Sequence, residues 1–135
     1  DGDADSIGRA AAAALGVDAS QVFKTLMVTV DGKPACAIAP SDSNVSMKAV
    51  AAAFRGRSAA MMKPADAERM TGYKIGGISP FAQARVVPMV LDDSAVLWDR
   101  IYLNGGQRGL QVLVAVDDVA SLLQAAIAPI GSIRR

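Results

Sequence analysis

The order of helical and extended patterns along the sequence predicts an α+β domain in which helices flank a mixed, mostly antiparallel and barrel-like sheet. Helical and extended segments do not alternate regularly, and this irregular order disfavours a doubly wound parallel sheet. The chain has 135 residues and a hydrophobic content of 52%, which suits one continuous core. We therefore expect a single domain over residues 1–135, without a linker or an internal repeat.

The first third of the chain predicts a helix followed by a β-hairpin. Residues 6–15 have apolar side chains at helical spacing, and Gly16 is suited to end that helix. Residues 22–30 are rich in β-branched and apolar types, which favour a strand. The turn sequence Asp-Gly-Lys-Pro at residues 31–34 and the apolar run at residues 35–39 then complete the hairpin.

The middle of the chain predicts a second helix, a short strand and a third helix before regular patterns end. Ser46 is suited to cap a helix over residues 47–54. A strand is expected at residues 58–62 and a helix at residues 64–70, which begin with proline and precede a glycine. Residues 72–85 have no periodicity, and their glycines and proline indicate a loop whose backbone conformation matters.

The last third predicts three strands and a final helix. The strands are expected at residues 86–91, 100–103 and 110–115, and the Asn-Gly-Gly sequence at residues 104–106 is suited to the turn between the last two. Residues 117–127 have the apolar spacing of a helix. Asp117 and Asp118 are most simply residues of its first turn, where negative charge is favourable.

Positive charge is concentrated in the middle of a chain whose net charge is only +1. The basic residues between positions 48 and 85 are Lys48, Arg55, Arg57, Lys63, Arg69, Lys74 and Arg85, against Asp66 and Glu68. Such clustering favours a polyanionic partner through phosphate neutralisation. A solvated charged surface would give the same composition, so both interpretations stay open.

The absence of histidine and the presence of a single cysteine exclude several kinds of catalytic and metal site. The chain has no histidine and a single cysteine, Cys36, so it cannot contain a Ser-His or Cys-His pair, a histidine zinc site or an internal disulfide. Cys36 lies in an apolar run and is expected to be a small buried hydrophobe. No apolar stretch reaches the roughly 20 residues of a membrane-spanning helix. We expect a cytoplasmic protein without a metal site.

Three segments could carry chemistry. Lys24 interrupts an apolar strand, so its charge must reach solvent, a partner or a ligand. The glycine-rich loop at residues 72–81 could direct backbone N–H groups at an oxyanion or a phosphate. The turn at residues 105–109 contains Arg108, which could meet a phosphate, but it lacks the lysine and spacing of a P-loop. Any hydrolysis must use a lysine, a carboxylate, backbone amides or groups of the substrate.

Taken together, the segments VFKTL at residues 22–26, TGYKIGGISPF at residues 71–81 and GGQRG at residues 105–109 resemble the signature segments of the YbaK family of aminoacyl-tRNA deacylases. Their order and spacing cover nearly the whole chain. The resemblance implies a YbaK-like fold that works without a metal or organic cofactor. Ala82 stands where the family usually has glycine. The family also leads us to expect a strand before residue 1 that this chain lacks.

The activity implied by the resemblance is trans-editing: hydrolysis of a wrongly attached amino acid, cysteine in the favoured case, from tRNA(Pro). The resemblance makes Lys24 the residue on which activity depends, and it implies that the substrate thiol attacks its own ester carbonyl. Mischarged tRNA is the implied partner, with prolyl-tRNA synthetase as a further one. The residues implied to bind substrate are Thr25, Tyr73, Gly76, Gly77, Ile78, Ser79, Pro80, Gly105, Gly106, Arg108 and Asp118.

Two other functions stay open. A related deacylase for Ala-tRNA(Pro) would have a similar fold, but its members usually carry Lys-Asn and a late histidine, where this chain has Lys24-Thr25 and no histidine. That difference favours cysteine. A non-catalytic module that binds tRNA or a synthetase would use the same basic surface, and a deacylation assay separates it from an enzyme.

Overall fold

The computed structural model describes residues 4–133, which form four α-helices, nine β-strands and two short 3-10 helices. The α-helices are α1 (Ala4–Leu15), α2 (Met47–Ala53), α3 (Pro64–Thr71) and α4 (Val116–Leu123). The strands are β1 (Phe23–Val30), β2 (Lys33–Pro40), β3 (Ser43–Val45), β4 (Ala59–Met61), β5 (Met89–Asp92), β6 (Arg100–Asn104), β7 (Gln111–Ala115), β8 (Ala126–Ala128) and β9 (Gly131–Ile133). The 3-10 helices are Ala19–Gln21 and Asp93–Leu97. Within these residues, no helix combines the length and apolar character needed to cross a membrane.

Local signals explain several element boundaries. Asp31 and Gly32 both have positive φ, 51° and 80°, as the tight turn between β1 and β2 requires. The Ser46 hydroxyl accepts a hydrogen bond from the N–H of Ala49 at 3.0 Å and caps α2, as predicted. Gly16 and Gly72 adopt positive φ after α1 and α3 and end these helices.

The main sheet is mixed and open. Its strand order is β4-β1-β2-β5-β8, in which β1 is antiparallel to β2 and β4, whereas β2 with β5 and β5 with β8 are parallel. Two antiparallel ribbons, β3–β9 and β6–β7, complete the strands of the described residues. The predicted α+β class with a mixed sheet is confirmed. The sheet does not close into a barrel, because strand pairing between the β6–β7 ribbon and this part of the chain is limited to an isolated bridge between Tyr102 and Val22, the residue before β1.

The two faces of the sheet bury separate apolar clusters, because side chains alternate along β1 and β2. One face contributes Phe23, Met27, Cys36 and Ile38 to a cluster that includes residues of α3, the β6–β7 ribbon and α4. The other face contributes Val28, Val30, Ala35, Ala37 and Ala39 to a cluster that packs against α2. Burial on both faces explains why β1 and β2 are apolar almost throughout.

The end of the chain differs from the prediction. The expected helix at residues 117–127 ends at Leu123, because Gln124 adopts a left-handed conformation with φ of 50°, and β8 follows. The expected strand at residues 86–91 begins only at Met89, after the exposed Val86. β3 and β9 were not predicted, since each has three residues and depends on pairing with the other.

Candidate active site

A cavity of about 730 Å³ lies beside the first half of β1. β4 pairs with β1 only at Val28, Thr29 and Val30, and Met62 extends this pairing to the carbonyl of Met27, so the edge of residues 23–26 is left uncovered on the β4 side. The walls around this edge come from α1, β3, the beginning of α2, α3, the loop after α3 and the β6–β7 ribbon. The cavity therefore occupies the position where another strand would otherwise continue the sheet.

The backbone of β1 presents polar groups to this cavity. The carbonyl of Met27 accepts a hydrogen bond from the N–H of Met62 at 3.0 Å on the β4 side, whereas the carbonyl of Val22 accepts from the N–H of Ser41 at 2.7 Å on the β2 side. Neighbouring residues of a strand point their backbone groups to opposite edges. Thr25 has the same parity as Met27, so its N–H and carbonyl point to the uncovered edge.

Lys24 and Thr25 project from opposite faces of β1, and both line the cavity because it wraps around the strand edge. The Lys24 side chain is only 6% exposed, and its Nζ donates a hydrogen bond to the carbonyl of Ser43 on β3 at 2.6 Å. This contact fixes a cationic group in the wall of the cavity. Lys24 therefore does not reach out into bulk solvent, which was one of the outcomes that its place in the sequence allowed.

Two polar atoms of the wall have no hydrogen-bond partner among the described residues. They are Oγ1 of Thr25, a residue that is 8% exposed, and Oε1 of Gln111 on β7. Buried polar atoms without a partner cost free energy and are few in native proteins. Both residues line the cavity, but the two atoms themselves are buried, so a ligand reaches them only if their side chains turn toward it.

The glycine-rich loop and the turn after β6 pack directly against each other. A Cβ atom on Gly77 would lie 2.9 Å from the backbone nitrogen of Arg108, and one on Gly106 would lie 2.9 Å from the ring of Tyr73. Contacts this short exclude a side chain at either position. Gly77 is therefore explained by the close approach of two backbone segments, and Gly106 by the Tyr73 ring and its own positive φ of 104°.

Asn104 joins these two segments to the cavity. Its Nδ2 donates to the carbonyl of Gly76 at 3.1 Å, and its Oδ1 accepts from the N–H of Gly106 at 2.7 Å. Asn104 pairs with Gln111 across the β6–β7 ribbon, and both line the cavity. The ribbon thus holds one wall of the site and the loop above it.

The remainder of the loop is fixed by its own hydrogen bonds. The hydroxyl of Tyr73 donates to the carbonyl of Phe81 at 2.6 Å, and the hydroxyl of Ser79 accepts from the N–H of Phe81 at 3.0 Å. Pro80 is fully buried. Ala82 follows with φ of 53°, a conformation that glycine adopts without strain and alanine does not.

The structure divides the predicted site residues into groups. Those that line the cavity are Lys24, Thr25, Gly76 and Ile78. Those that lie in the two packed segments without lining it are Tyr73, Gly77, Ser79, Pro80, Gly105, Gly106 and Arg108. Asp118 is exposed in the first turn of α4 and does not line the cavity. The roles of these residues toward a substrate remain predictions.

Sequence reasoning did not identify Asn104, Gln111 or the methionines that line the cavity, Met27, Met47, Met61 and Met62. The methionines occupy positions that an apolar pattern assigns to the core. Asn104 was noticed only as a turn residue, because the contact with Gly76 joins residues that are 28 positions apart. No local signal marks such a contact.

Cys36 is completely buried on β2 and does not line the cavity. Burial raises the pKa of its thiol to about 12, although a hydrogen bond from Gln83 has the smaller, opposite effect of lowering this pKa. The thiol is therefore protonated at neutral pH. The expectation of a structural cysteine is consistent with this position. No group of three or more His, Cys, Asp or Glu residues in the described part of the chain is placed to hold a metal ion.

Comparisons with known proteins identify the family of the chain. The aminoacyl-tRNA editing domain family matches over residues 1–122. A protein of Enterococcus faecalis (strain ATCC 700802 / V583) that carries the name Cys-tRNA(Pro)/Cys-tRNA(Cys) deacylase EbsC is 33% identical over 121 residues, 88% of this chain and 73% of that protein.

Two solved structures share the fold. A crystal structure of a hypothetical protein has a TM-score of 0.85 at 22% identity and covers 93% of this chain and 83% of its own. One described as a trans-editing enzyme for prolyl-tRNA synthetase has a TM-score of 0.84 at 18% identity, with coverage of 93% and 79%. Since the family matches most of the chain, this protein belongs to the family of aminoacyl-tRNA editing domains.

Proposed function

We propose that this protein is a trans-editing deacylase that releases cysteine from Cys-tRNA(Pro). Membership of the editing family makes it an aminoacyl-tRNA deacylase, and the name of the Enterococcus faecalis relative supports the finer choice of substrate. The observation that carries the proposal is the composition of the cavity wall. The described residues that line it include no serine, cysteine, histidine, aspartate or glutamate.

Among the described lining residues, the side chains that could act as nucleophiles are those of Lys24 and Thr25, and we assign the attack to the substrate instead. A cysteinyl ester carries its own thiol, which is partly ionised near neutral pH. Attack of this sulfur on the ester carbonyl forms a C–S bond and breaks the bond between that carbon and the ribose oxygen. The thiol proton passes to the ribose oxygen, and water then opens the resulting thiolactone to free cysteine.

The groups of the wall suit the positioning that such a reaction needs. The Lys24 ammonium can stabilise negative charge on the ester carbonyl oxygen or hold the terminal nucleotide. The backbone groups and hydroxyl of Thr25 can bind the amino and carbonyl groups of the aminoacyl end. A volume of about 730 Å³ lies within the usual range for small-ligand sites and has room for an aminoacyl-adenosine.

The test of the proposal is release of labelled cysteine from Cys-tRNA(Pro) by the wild-type, Lys24→Ala and Lys33→Ala proteins. Lys33 is an exposed lysine in the hairpin and serves as the matched control. We expect Lys24→Ala to lose about 100-fold or more in turnover, the usual effect of removing one group that stabilises charge in a transition state. Lys33→Ala should be unaffected. Normal turnover by folded Lys24→Ala would contradict the assignment.

The Lys24→Arg variant tests whether a positive charge at this position is sufficient for turnover. We expect little rescue, since a planar guanidinium on a longer side chain does not reproduce the 2.6 Å contact of the buried Nζ with the Ser43 carbonyl. Substantial rescue would show that the charge acts without this contact.

The same assay tests the substrate. A seryl ester on tRNA(Pro) should be hydrolysed at least about tenfold more slowly than the cysteinyl ester, because a neutral hydroxyl attacks less readily than a partly ionised thiol. Equal hydrolysis rates for the seryl and cysteinyl esters would contradict attack by the substrate thiol. Faster release of alanine from Ala-tRNA(Pro) than of cysteine would favour the related deacylase.

Prolyl-tRNA synthetase as a partner and the cytoplasm as the compartment are further parts of the proposal. The description of one structural neighbour supports the synthetase. An unpaired Cys36 and a substrate used in translation support the cytoplasm. Co-sedimentation of the purified protein with prolyl-tRNA synthetase, with and without tRNA(Pro), would test the partnership.

A further inference from the structure

We propose that the phosphate backbone at the acceptor end of the tRNA is held by a cationic rim, defined as Arg9, Lys48, Lys63 and Lys74, at the cavity mouth. Arg55 and Arg57, which belong to the same basic stretch of sequence, lie outside this contact surface. The inference rests on the proposed function, because it takes tRNA as the ligand whose end enters the cavity.

Each member of the rim is within one residue of the cavity wall. Arg9 is exposed on α1 and lines the cavity itself. Lys63 is exposed between Met62 and Pro64, which both line the cavity, at the beginning of α3. Exposed positive charge thus stands on α1 and at the residue before α3, in both cases beside the cavity wall.

The other two members extend the rim. Lys48 follows the lining residue Met47 in α2, and Lys74 precedes the lining residue Ile75 in the loop after α3; both lysines are exposed. Four separate parts of the chain therefore each place one exposed cation at, or one residue from, a lining residue. An aromatic or apolar ligand would gain little from four exposed cations. A chain of phosphates has the complementary charge.

The two carboxylates of α3, the helix that follows Lys63, are engaged within the protein. Asp66 pairs with Arg69 at 2.7 Å, and a carboxylate oxygen of Glu68 accepts a hydrogen bond from the N–H of Ile75 at 2.9 Å. None of the described residues that line the cavity is acidic. A phosphate that approaches the cavity therefore meets no carboxylate among the described residues of its wall.

Arg55 and Arg57 lie near the opposite end of β1. The N–H of Arg57 donates to the carboxylate of Asp31 in the hairpin turn at 3.1 Å. Asp31 is six residues beyond Thr25, which corresponds to roughly 20 Å along an extended strand. The acidic Asp31 also offsets positive charge at this end. The sequence alone could not separate these arginines from Lys63.

The experiment measures binding of uncharged tRNA(Pro) at several KCl concentrations and takes the slope of log affinity against log salt. Arg9→Gln with Lys63→Gln tests the rim, and Arg55→Gln with Arg57→Gln is the matched control, since each pair removes two exposed charges. The rim pair should reduce the slope by about 1.4 to 1.8, at 0.7 to 0.9 for each lost phosphate contact, and weaken binding. The control pair should change the slope by less than about 0.3. Thermal melting establishes that both variants are folded.

The result that overturns the rim is an equal or larger loss of slope in the Arg55 and Arg57 pair, or an unchanged slope in the rim pair. Cysteine release is measured on the same proteins. If the wild-type protein releases cysteine but the rim pair does not change the salt slope, the rim proposal is wrong and the proposed function stands. If the rim pair reduces the salt slope of tRNA binding but the wild-type protein releases no cysteine, the rim proposal is supported and the proposed deacylase function is wrong.

Discussion

At the scale of single residues, the site depends on polar groups that the fold places at low exposure. Lys24 was recognisable because a charge in an apolar strand is unusual. Thr25 was singled out only through the family resemblance, and its importance in the structure follows from the uncovered edge of β1, toward which its backbone groups point. A residue's type predicts its chemistry, but its access to a ligand depends on which neighbours are missing.

Cys36 provides a residue-scale prediction about the nucleophile. Cys36→Ala should keep cysteine release within about twofold of wild type, because the thiol is buried outside the cavity, and should lose roughly 1 kcal/mol of stability for the small void.

Folding raises the pKa of the Cys36 thiol from 9.0 to about 12, so the wild-type protein loses stability as the pH rises through this window, when only the unfolded thiol ionises. Cys36→Ala should lack this component. Urea unfolding from pH 8 to 11 checks both expectations, and an inactive but folded variant would restore a protein nucleophile.

Ala82 provides a second prediction at this scale. Its φ of 53° costs alanine roughly 1 to 2 kcal/mol, whereas glycine adopts this conformation freely and adds roughly 0.5 to 1 kcal/mol of unfolded-state entropy. We therefore expect Ala82→Gly to raise the free energy of unfolding by up to about 1 kcal/mol. Ala84→Gly, the same change at an exposed neighbour with negative φ, should lower it instead. Chemical denaturation measures both, and a loss of stability in Ala82→Gly equal to that of Ala84→Gly would contradict the argument.

At the scale of elements, the contact between the glycine-rich loop and the turn after β6 shapes one wall of the cavity. Two of the sequence motifs that the family resemblance singled out therefore meet in space. Their glycines read locally as turn signals, although Gly77 is required by a backbone segment about 30 positions later in the chain. Spacing along the sequence cannot reveal which turn packs against which.

Gly77→Ala tests this contact. The new Cβ would lie 2.9 Å from the backbone nitrogen of Arg108, and backbone cannot move aside as a flexible side chain can. We expect a loss of about 1 to 3 kcal/mol in stability and a several-fold higher KM, since the neighbouring Gly76 and Ile78 line the cavity. Gly32→Ala is the control: it strains a positive φ in the hairpin turn without any clash and should lower stability while leaving KM unchanged. Equal KM effects in the two variants would refute a local role for the contact.

At the scale of the whole molecule, the elements with strong local signals were predictable. The hairpin follows from Asp31-Gly32, and α2 from the cap at Ser46. The elements that depend on distant pairing were not, because three-residue strands such as β8 and β9 have no pattern of their own. The cavity belongs to the second kind, since its walls come from parts of the chain that range from α1 to β7. Sequence indicated the chemistry of the site, and tertiary packing decided its shape.

The uncovered edge of β1 has a consequence for association between copies of the protein. An open edge of a buried, apolar strand is ordinarily a template on which a strand of another molecule can add, which leads to aggregation. Here α1, α3 and the β6–β7 ribbon stand around that edge. A compact ligand can reach the backbone groups of Thr25, but an extended polypeptide cannot lie along them. The enclosure that makes the edge a binding site also keeps it from recruiting a neighbouring chain.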